Sequence, residues 1–577
     1  MATDSPPAPV PDTAPKLSPV EGIKDASRFL RGTLAEELTN DTDHLSKEME
    51  QLIKFHGSYQ QEDRDARKNR PKGAAAGKAH MFMIRLKLPG GKLTAKQYLV
   101  MDELCEQYAN GTLRFTTRQS IQLHGVLKTN LKATIAGFNA ALVTSLGGCG
   151  DVNRNVMSCP APLPDPARQQ MQELAAAVAA HLAPKAGTKA YHEIWLDGEK
   201  VEIPEEANAE VEEPIYGKVY LPRKFKIAFS LPNDNCTDIL ANCLGFLCIV
   251  ENGQPIGYNL YVGGGQGQSN ARKDTFPHEA QPICFLEPGE VVGAAEAVCK
   301  FFRDHGNRAD RKRARLKYVI HDWGVPKFQE VFFRDYLQTP ARPAKHAPIT
   351  GLDLHHGWHS QGNGKWFLGL SVENGRVKDD GALRLRSGLR EIVKKVGCNV
   401  RISAQQDVLL CDIDPANKAA VDSLLNEYGI PRPENLSQVR KWSMACPAIP
   451  TCPLAITESE RSLPGLVTEL EPILAELGLQ DEPISMRMTG CPNGCARPYQ
   501  SEVGIVGRGG TKYTLYIGGD SYGRRLNAEL QDSVPIDQIP GKLKVIFQHY
   551  KNEREAGELF GAYCNRVGLD RLKAMLA

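Results

Sequence analysis

The chain contains an internal repeat, and a duplicated sequence constrains a fold more strongly than any single motif. The segment LRFTTRQSIQLHG, which begins at Leu113, resembles VRISAQQDVLLCD, which begins at Val400. MSCP at Met157 resembles MACP at Met444, and both pairs of segments are 287 positions apart. Two further matches, FMIRLKLPGGKL with WFLGLSVENGRV and YNLYVGGG with YTLYIGGD, occur in the same order. The sequence therefore predicts a duplicated unit, with a smaller first part and a larger second part in each copy.

Hydrophobic periodicity in the first copy predicts mixed α and β structure. Residues 81–88 and 113–124 alternate between apolar and polar side chains, as strands do. Residues 131–146 and 167–182 have the spacing of amphipathic helices. The order of these elements predicts half of a ferredoxin-like α+β unit, which recurs near residues 365–425.

The composition excludes two classes of function. Of 577 residues, 41% are hydrophobic and 24% are charged, and the formal net charge of +2 argues against a dedicated nucleic-acid binder. No apolar run approaches the length of a membrane span. The first 20 residues are rich in Pro, Ala and Ser, lack the features of a signal or transit peptide, and predict a disordered leader. We expect a cytoplasmic protein with neither a nucleic-acid nor a membrane partner.

Four cysteines in the second copy form the strongest candidate for a metal centre. Five residues separate Cys446 from Cys452, three separate Cys491 from Cys495, and Gly and Pro surround both pairs. Converging thiolates most often bind zinc or an iron–sulfur cluster. Because zinc knuckles favour shorter gaps, the spacing favours a [4Fe–4S] cluster. A structural zinc ion and inert buried thiols remain as alternatives.

Strand parity indicates a second feature, a set of cationic faces. Arg85 and Lys87 share one face of their predicted strand, and Lys224 and Lys226 share a face opposite Phe residues. Exposed Lys and Arg are common on strands, but cationic faces that recur in a nearly neutral chain predict a cavity for a polyanion or several carboxylates. Arg154, in the turn-like DVNRNV segment, is a further candidate for this cavity. So are the residues that share one face of the predicted strand LRFTTRQSIQLHG, namely Arg114, Arg118, Gln122 and His124.

Two weaker motifs allow more than one interpretation. The three glycines at 263–265 lack the spacing of a dinucleotide fingerprint and predict a tight turn or a close approach of backbone to a ligand. The basic run from Arg308 to Arg315 predicts a solvated helix face, with contact to cofactor carboxylates as the alternative.

Together these motifs resemble those of the sirohaem and [4Fe–4S] nitrite and sulfite reductases. LIKFHGSYQQEDRD, FTTRQSIQLHG, CGDVNRNV, LPRKFK, the C-x5-C pair and TGCPNGC occur in the family's order, and the resemblance extends from about Gly22 to the C-terminus. Members have two pseudo-symmetric halves that enclose sirohaem beside the cluster. The resemblance implies an α+β fold with two pseudo-symmetric ferredoxin-like half-domains and a larger α/β part that binds sirohaem and cluster.

The repeat and the resemblance together predict five segments. These are a leader (1–20), an N-terminal segment with the first ferredoxin-like half-domain (21–145), a first sirohaem-binding domain (146–340), a second half-domain (350–430) and a second sirohaem- and [4Fe–4S]-binding domain (431–577).

The resemblance also implies roles for individual residues. The cluster ligands would be Cys446, Cys452, Cys491 and Cys495. Of these, Cys495 would also be the axial ligand of the sirohaem iron. The cations on the open side of the iron, where substrate binds, would be Arg85, Arg154, Lys224 and Lys226. The residues positioned to contact the macrocycle or its carboxylates would be Arg114, Arg118, Gln122, His124 and Asn493.

By the same resemblance, the reaction is the six-electron reduction of sulfite to sulfide. Each oxygen leaves as water, so we expect the arginines to clamp the sulfite oxygens and the lysines to supply protons. Nitrite reduction by the same fold is the nearest alternative, and family nitrite reductases tend to carry Asn at the position of Lys226. A non-catalytic zinc scaffold and a simple [4Fe–4S] electron carrier are more remote alternatives.

The sequence shows no flavin or nicotinamide domain. Electrons are therefore expected from a separate protein, either ferredoxin or an NADPH-dependent flavoprotein subunit. Segments such as LIKFHGSYQQ and GTLRFTTRQSIQLHGVLK look closer to the ferredoxin-dependent branch and favour ferredoxin.

Overall fold

The computed structural model describes residues 16–69, 77–185, 194–196, 199–201, 212–270 and 272–576. Most of the predicted leader, residues 1–15, lies outside this part of the chain. The described α-helices are α1 (Pro19–Asp25), α2 (Leu34–Thr39), α3 (Lys47–Leu52), α4 (Arg64–Lys68), α5 (Ala95–Tyr108), α6 (Leu131–Ala140), α7 (Pro166–His181), α8 (Val291–His305), α9 (Leu316–Val331), α10 (Leu385–Val396), α11 (Lys418–Glu427), α12 (Gln438–Lys441), α13 (Leu463–Glu476), α14 (Ile539–Glu553), α15 (Phe560–Val567) and α16 (Leu569–Ala574).

The described strands are β1 (Ser58–Glu62), β2 (His80–Arg85), β3 (Lys92–Leu93), β4 (Leu113–Phe115), β5 (Ile121–Val126), β6 (Ile194–Leu196), β7 (Glu199–Val201), β8 (Ile227–Ser230), β9 (Leu244–Glu251), β10 (Gln254–Val262), β11 (Gln281–Leu286), β12 (Gly357–Ser360), β13 (Trp366–Leu370), β14 (Arg376–Val377), β15 (Asp379–Asp380), β16 (Leu383–Arg384), β17 (Asn399–Ile402), β18 (Val408–Ile413), β19 (Ser443–Ala445), β20 (Met486–Thr489), β21 (Val503–Gly509), β22 (Lys512–Ile517) and β23 (Ala528–Pro535). None of the helices described above combines the length and the apolar character that crossing a bilayer requires.

Two antiparallel five-stranded sheets are the structural counterpart of the repeat. Their strand orders are β1-β2-β5-β4-β14 and β12-β13-β18-β17-β3. In each sheet four strands come from one copy and the fifth comes from the other copy, so β14 pairs with β4 and β3 pairs with β17. This reciprocal exchange joins the two half-domains. The confirmed α+β architecture thus has pseudo-symmetry in its strand order as well as in its sequence.

Two equivalent glycines make the exchange possible. Gly91 and Gly375 precede the two exchanged strands, and both have positive φ, at 72°. A Cβ atom on Gly91 would lie 2.3 Å from Ile402 O, and one on Gly375 would lie 2.2 Å from Phe115 O. Only glycine fits a left-handed turn that packs this closely against the partner copy's backbone.

The larger parts of the two copies also share a sheet topology. One contains a four-stranded sheet in the order β11-β10-β9-β8, and the other a five-stranded sheet in the order β23-β22-β21-β20-β19. The parallel pair β8–β9 corresponds to the parallel pair β20–β21. In the first copy, a single parallel β-bridge between Met157 and Ala228 occupies the position that corresponds to the pairing of β19 with β20 in the second copy. The second copy's larger part has a hydrophobic core of its own, from Val439 to Leu572.

The structure corrects two predicted elements. Residues 113–124 form a hairpin rather than one strand, because Thr116 N–H donates to Ser120 O at 2.9 Å and the chain turns there. The helix predicted for residues 131–146 ends at Ala140, and Leu142 has a φ of 58°. The helix predicted for residues 167–182 is confirmed as α7.

Candidate active site

Two parallel strands bring the first pair of candidate ligands together. Cys446 directly follows β19, and Cys491 lies two residues beyond the end of β20. Because β19 and β20 are adjacent and parallel, both cysteines lie at the same edge of the sheet. Cys446 N–H donates to Met488 O at 3.2 Å, and Gly490 N–H donates to Cys446 Sγ at 3.4 Å.

The four cysteines converge on one locus, although no disulfide joins them. Burial is the main cause that raises the pKa of Cys446, Cys452 and Cys491, the last to about 12, and the nearby charge of Cys495 raises all three further. Apolar side chains surround the group, among them Met444. Thiolates crowded into such a site require a cationic centre to stabilise them, which an iron–sulfur cluster provides.

The separation of the sulfur atoms distinguishes between the predicted metal centres. Among the described residues, no three of these sulfurs lie within 4.8 Å of one another. Cysteines on a single tetrahedral zinc ion would lie about 3.8 Å apart. The four cysteines are therefore spread too widely for one zinc ion, and their spread suits a cluster of several irons.

A row of polar residues crosses the first sheet. The strand register places Arg85 opposite Gln122, Gln122 opposite Arg114, and Arg114 opposite Arg376. Residues that lie directly opposite one another point to the same face of a sheet. The hairpin therefore brings Arg114 and Gln122 to one face, although they do not belong to one continuous strand.

The middle of this row is tied to the cluster loop by a buried carboxylate. Arg114 Nε donates to Glu460 at 2.8 Å, and Arg376 Nε donates to the same carboxylate at 2.6 Å. Arg114 also donates to the carbonyl of Ala445 at 2.8 Å, next to the first cluster cysteine. Arg114 thus connects the first copy to the cysteine site, and its contact with a macrocycle stays a prediction.

The edge of the row nearest β1 is formed by Arg85. Its Nη1 donates to Cys149 Sγ at 3.0 Å, and the Gln122 amide oxygen, turned toward it, accepts from Nε at 3.0 Å. Burial, followed by the charges of Arg376, Arg114 and Arg85, holds the pKa of His124 well below its usual value. His124 is therefore neutral, and its Nδ1 has no hydrogen-bond partner within the described part of the chain.

Lys224 and Lys226 lie in the segment just before β8. Both side chains lie deep within the protein and are partly accessible. Burial and then Arg315 and Arg223 lower the pKa of Lys224 to about 7. Burial and then Arg118 and Lys224 lower the pKa of Lys226 well below its usual value.

Cys495 interacts electrostatically with both the other cysteines and the two lysines. It is the exposed member of the four cysteines. Its charge raises the pKa of Cys446, Cys452 and Cys491 and also that of Lys224 and Lys226. Thr117 Oγ1 donates to the Cys495 carbonyl at 3.0 Å, so the loop that carries Arg118 lies against the cysteine loop.

The remaining predicted site residues occupy three loops. Arg118 donates to the Ile227 carbonyl at 3.1 Å, and burial followed by Arg497 lowers its pKa to about 9. Arg154 Nε donates to the Gly150 carbonyl at 2.8 Å, and burial lowers its pKa to about 10. Asn493 lies two residues after Cys491, and its backbone and side chain partly offset the rise in the pKa of that cysteine.

The basic run was interpreted wrongly as a solvated helix face. The residues from Arg308 to Arg315 form turns before α9. Arg308 and Arg311 pair with the buried carboxylates of Glu21, at 2.6 Å, and Asp151, at 2.8 Å. Arg315 is only 8% exposed and donates to Cys243 Sγ at 3.3 Å.

Lys317, at the start of α9, is a cation of this region that the sequence analysis missed. It is fully buried and donates to the carbonyls of Gly265 and Gly267, at 3.1 and 2.7 Å. The glycine triplet is thus a turn that packs against cationic side chains. Gln268 N–H, just beyond it, donates to the Pro492 carbonyl at 3.0 Å in the cysteine loop. A signal was present in the sequence, because Arg315 and Lys317 alternate with Ala314 and Leu316.

Comparisons with known proteins agree with this geometry. Residues 75–141 and 359–428 match the family model of the nitrite/sulfite reductase ferredoxin-like half domain. Residues 177–340 match the model of the nitrite and sulphite reductase 4Fe-4S domain. The chain belongs to the nitrite and sulfite reductase family. The family recognised from the sequence motifs is therefore confirmed.

Curated relatives resemble the chain over nearly its whole length. The sulfite reductase [ferredoxin] of Synechococcus elongatus is 43% identical, and the match covers 98% of this chain and 92% of that protein. The sulfite reductase [NADPH] hemoprotein beta-component of Geobacillus thermodenitrificans is 44% identical, with 97% and 96% covered. The structure of the Mycobacterium tuberculosis NirA protein matches the fold with a TM-score of 0.77 at 24% identity, over 96% of this chain and 97% of that one.

Proposed function

We propose that this protein is an enzyme that reduces sulfite to sulfide with six electrons. It would use a sirohaem coupled to a [4Fe–4S] cluster. The observation that carries the proposal is the exposed Cys495, whose charge raises the pKa of the other three cysteines and also that of Lys224 and Lys226. Relatives named sulfite reductase, at 43% and 44% identity over nearly the whole chain, support sulfite as the substrate.

The grouped cations suit a polyanionic cofactor. Sirohaem carries eight carboxylates and, when bound, would supply the redox chemistry of the reaction. Arg118, Arg223 and Arg315 are cations that could hold its carboxylates, since guanidinium groups bind carboxylates in a fork. Arg223 keeps a third of its side chain accessible although burial lowers its pKa, as expected for the lining of a cavity.

Arg85 and Arg154 are suited to bind the oxyanion. Both are held in place by protein contacts, Arg85 by Cys149 and Arg154 by the Gly150 carbonyl. The Nη2 of Arg154 has no protein partner among the described residues and is free to donate to a substrate oxygen. With its pKa lowered only to about 10, Arg154 stays charged at neutral pH.

Lys224 and Lys226 are suited to supply the protons that accompany the electrons. No hydrogen bond or ion pair joins either Nζ to another residue in the described ranges, so both ammonium groups are available to the cavity. A proton donor works best when its pKa lies near the operating pH, and the pKa of Lys224 is lowered to about 7. Bound anions would raise this pKa and keep the lysine protonated until a proton is withdrawn.

Replacement of Lys224 tests this assignment. In purified protein with both chromophores, Lys224→Met should lower kcat for sulfite by about 100-fold, the usual scale for loss of a general acid. The wild-type rate should fall as pH rises through the pKa that Lys224 has in the loaded enzyme, because the ammonium form is the proton donor, and the variant should not show that decrease.

The matched control is Lys345→Met, which removes an exposed lysine paired with Glu251. It should leave both the rate and the pH profile unchanged. Full sulfite turnover by Lys224→Met, with an unchanged absorption spectrum, would contradict the proton-donor assignment. A wild-type protein with both chromophores but no sulfite reduction would contradict the proposed function itself.

Electrons would come from a separate donor protein, and we favour ferredoxin over an NADPH-dependent flavoprotein. Relatives with names of both kinds have nearly the same identity, so the preference depends on the motifs in residues 52–61 and 111–128. Sulfide production should be faster with reduced ferredoxin than with NADPH and a flavoprotein subunit. The reverse order would assign the enzyme to the NADPH-dependent type. We also infer a reducing compartment, the cytoplasm, which suits fifteen free cysteines.

A further inference from the structure

The first copy contains its own counterpart of the cluster site. Cys159 is the repeat equivalent of Cys446, in MSCP and MACP. Cys236 lies six residues beyond the end of β8, and Cys495 lies six residues beyond the end of the equivalent four-residue strand β20. Two of the four cysteine positions are therefore kept in the first copy.

Two other side chains complete this first-copy set. Cys159 Sγ lies 3.2 Å from Asp234 Oδ2 and 3.3 Å from His355 Nε2, and these two atoms are 3.2 Å apart. Cys236 lies within hydrogen-bonding reach of Cys159, and one ligand atom from each of the four residues lies within 4.8 Å of every other. All four side chains are at most 1% exposed.

The spacing of these atoms matches a single tetrahedral ion. Zinc binds Cys sulfur at about 2.3 Å and His or Asp at about 2.0 Å, which places neighbouring ligand atoms about 3.3 to 3.8 Å apart. The three distances of 3.2 to 3.3 Å are close to the lower end of this range. The four second-copy cysteines, in contrast, are spread too widely for one ion.

The surroundings also suit a zinc ion. The second ring nitrogen of His355, Nδ1, faces the Asp353 carboxylate at 3.4 Å, the arrangement that commonly orients a metal-binding histidine. Arg168 Nη2 lies 3.1 Å from Asp234 Oδ2. Two thiolates and one carboxylate would be neutralised by a divalent ion together with Arg168, which removes the cost of burying isolated charges.

We propose that Cys159, Asp234, Cys236 and His355 bind one zinc ion. The site is separate from the sulfite-reducing centre and is structural, because four protein ligands leave no open position on the ion. Its ligands come from the segment before α7, the loop after β8, and the chain that leads into β12 of the second copy. The ion would therefore fasten the start of the second half-domain to the first copy.

Metal analysis of the complete, cofactor-loaded protein tests the proposal. After treatment with a chelator, the wild type should retain about one zinc ion per chain in addition to its iron. Zinc X-ray absorption should show two sulfur neighbours at about 2.3 Å and two nitrogen or oxygen neighbours at about 2.0 Å. This measurement needs no variant, so it remains decisive even if substitutions prevent folding.

Two variants and a matched control locate the ion. Cys236→Ser and His355→Gln should lose the zinc. Wild-type protein from zinc-depleted medium should melt at a lower temperature than wild-type protein that contains zinc. Cys248→Ser, which alters a buried cysteine of β9 outside the set, should keep the zinc. The proposal would be overturned if wild-type protein grown with added zinc contained no zinc. A disulfide between Cys159 and Cys236, or full zinc retention by both variants, would also overturn it.

Discussion

The two half-domain sheets have the same strand order but differ in half of the side chains along one face. In the first sheet the row across the strands is Arg85, Gln122, Arg114 and Arg376. In the second sheet the equivalent row is Gly369, Leu409, Arg401 and Lys92. Duplication thus kept the scaffold of both sheets and the central arginine of each row, whereas Arg85 and Gln122 of the first row correspond to Gly369 and Leu409 in the second.

The position of Gly369 shows what took the place of the missing arginine. A Cβ atom on Gly369 would lie 1.8 Å from the carbonyl oxygen of His355. No side chain fits there, because the chain that leads into β12 occupies the space. Arg401, the equivalent of Arg114, donates to the Pro160 carbonyl at 2.8 Å instead of to a carboxylate. The second face is therefore filled by protein, and the first remains available to line a cavity.

The cysteine sites differ in a related way. The second copy has four cysteines with widely separated sulfurs, one of them exposed, whereas the first copy has a compact, fully buried set of mixed ligands. An open, electron-transferring centre needs contact with a cavity, and a structural centre needs none. One duplicated framework thus accommodates two kinds of site.

The largest expected difference comes from the equivalent cysteines Cys495 and Cys236. Cys495→Ser should abolish sulfite turnover and the visible absorption of the coupled cofactors, since it removes the exposed thiolate proposed to join the two cofactors. Cys236→Ser should keep the cofactor spectrum per folded molecule. The comparison is made by absorption spectroscopy and a sulfide assay, and equal loss of absorption in both variants would break the proposed distinction between the copies.

A second difference concerns Lys226, whose repeat equivalent is Ser485, the residue before β20. Lys226→Asn should lower kcat/KM for sulfite by about 100-fold, because it removes a cation and a proton donor from the cavity. The loss for nitrite should be smaller. Both rates are measured with the same reduced donor, and Lys345→Asn serves as the exposed control. Equal losses for the two substrates would remove Lys226 as the source of sulfite preference.

The sequence predicted the site's chemistry better than its geometry. Cysteine spacing predicted an iron–sulfur centre and the repeat predicted the pseudo-symmetry, because both depend on residue identity alone; the roles of the four cysteines as ligands stay a prediction. The exchanged strands β3 and β14 were not predicted, because two residues are too few for a periodic pattern. The turn between Phe115 and Ile121 was missed because its residues happen to continue the alternation of the flanking strands.

The cations of the loops show a second limit of prediction from sequence. Arg315 ends a strongly basic run and Lys317 follows two residues later, and such runs are usually solvated. Their burial results from tertiary contacts with Cys243 and with the carbonyls after the glycine triplet. No local pattern encodes those contacts. The structural zinc set was missed for the same reason, since its ligands lie on segments far apart in the chain.

A smaller effect is expected from the two central arginines of the rows. Arg114→Met leaves the Glu460 carboxylate, 12% exposed, with Arg376 as its remaining partner, and should cost about 3 kcal/mol in free energy of unfolding. Arg401→Met removes hydrogen bonds to a carbonyl and an amide and should cost about 1 kcal/mol. Urea denaturation measures both values. Equal costs would show that the ion pair does not distinguish the two sheets.

The smallest effect is a pH dependence that belongs to the first row alone. Although burial opposes it, Arg376 and Arg114 lower the pKa of Glu460 overall from its unfolded value of 4.5. A carboxyl group with a lowered pKa in the folded state stabilises the protein above its unfolded pKa and loses that contribution as pH falls. Between about pH 6 and about pH 4, the wild type should therefore lose stability faster than Glu460→Gln. Glu373→Gln, at a half-exposed carboxylate paired with Arg440, should follow the wild type. If Glu460→Gln also follows the wild type, the carboxylate does not couple the first row to the cysteine loop.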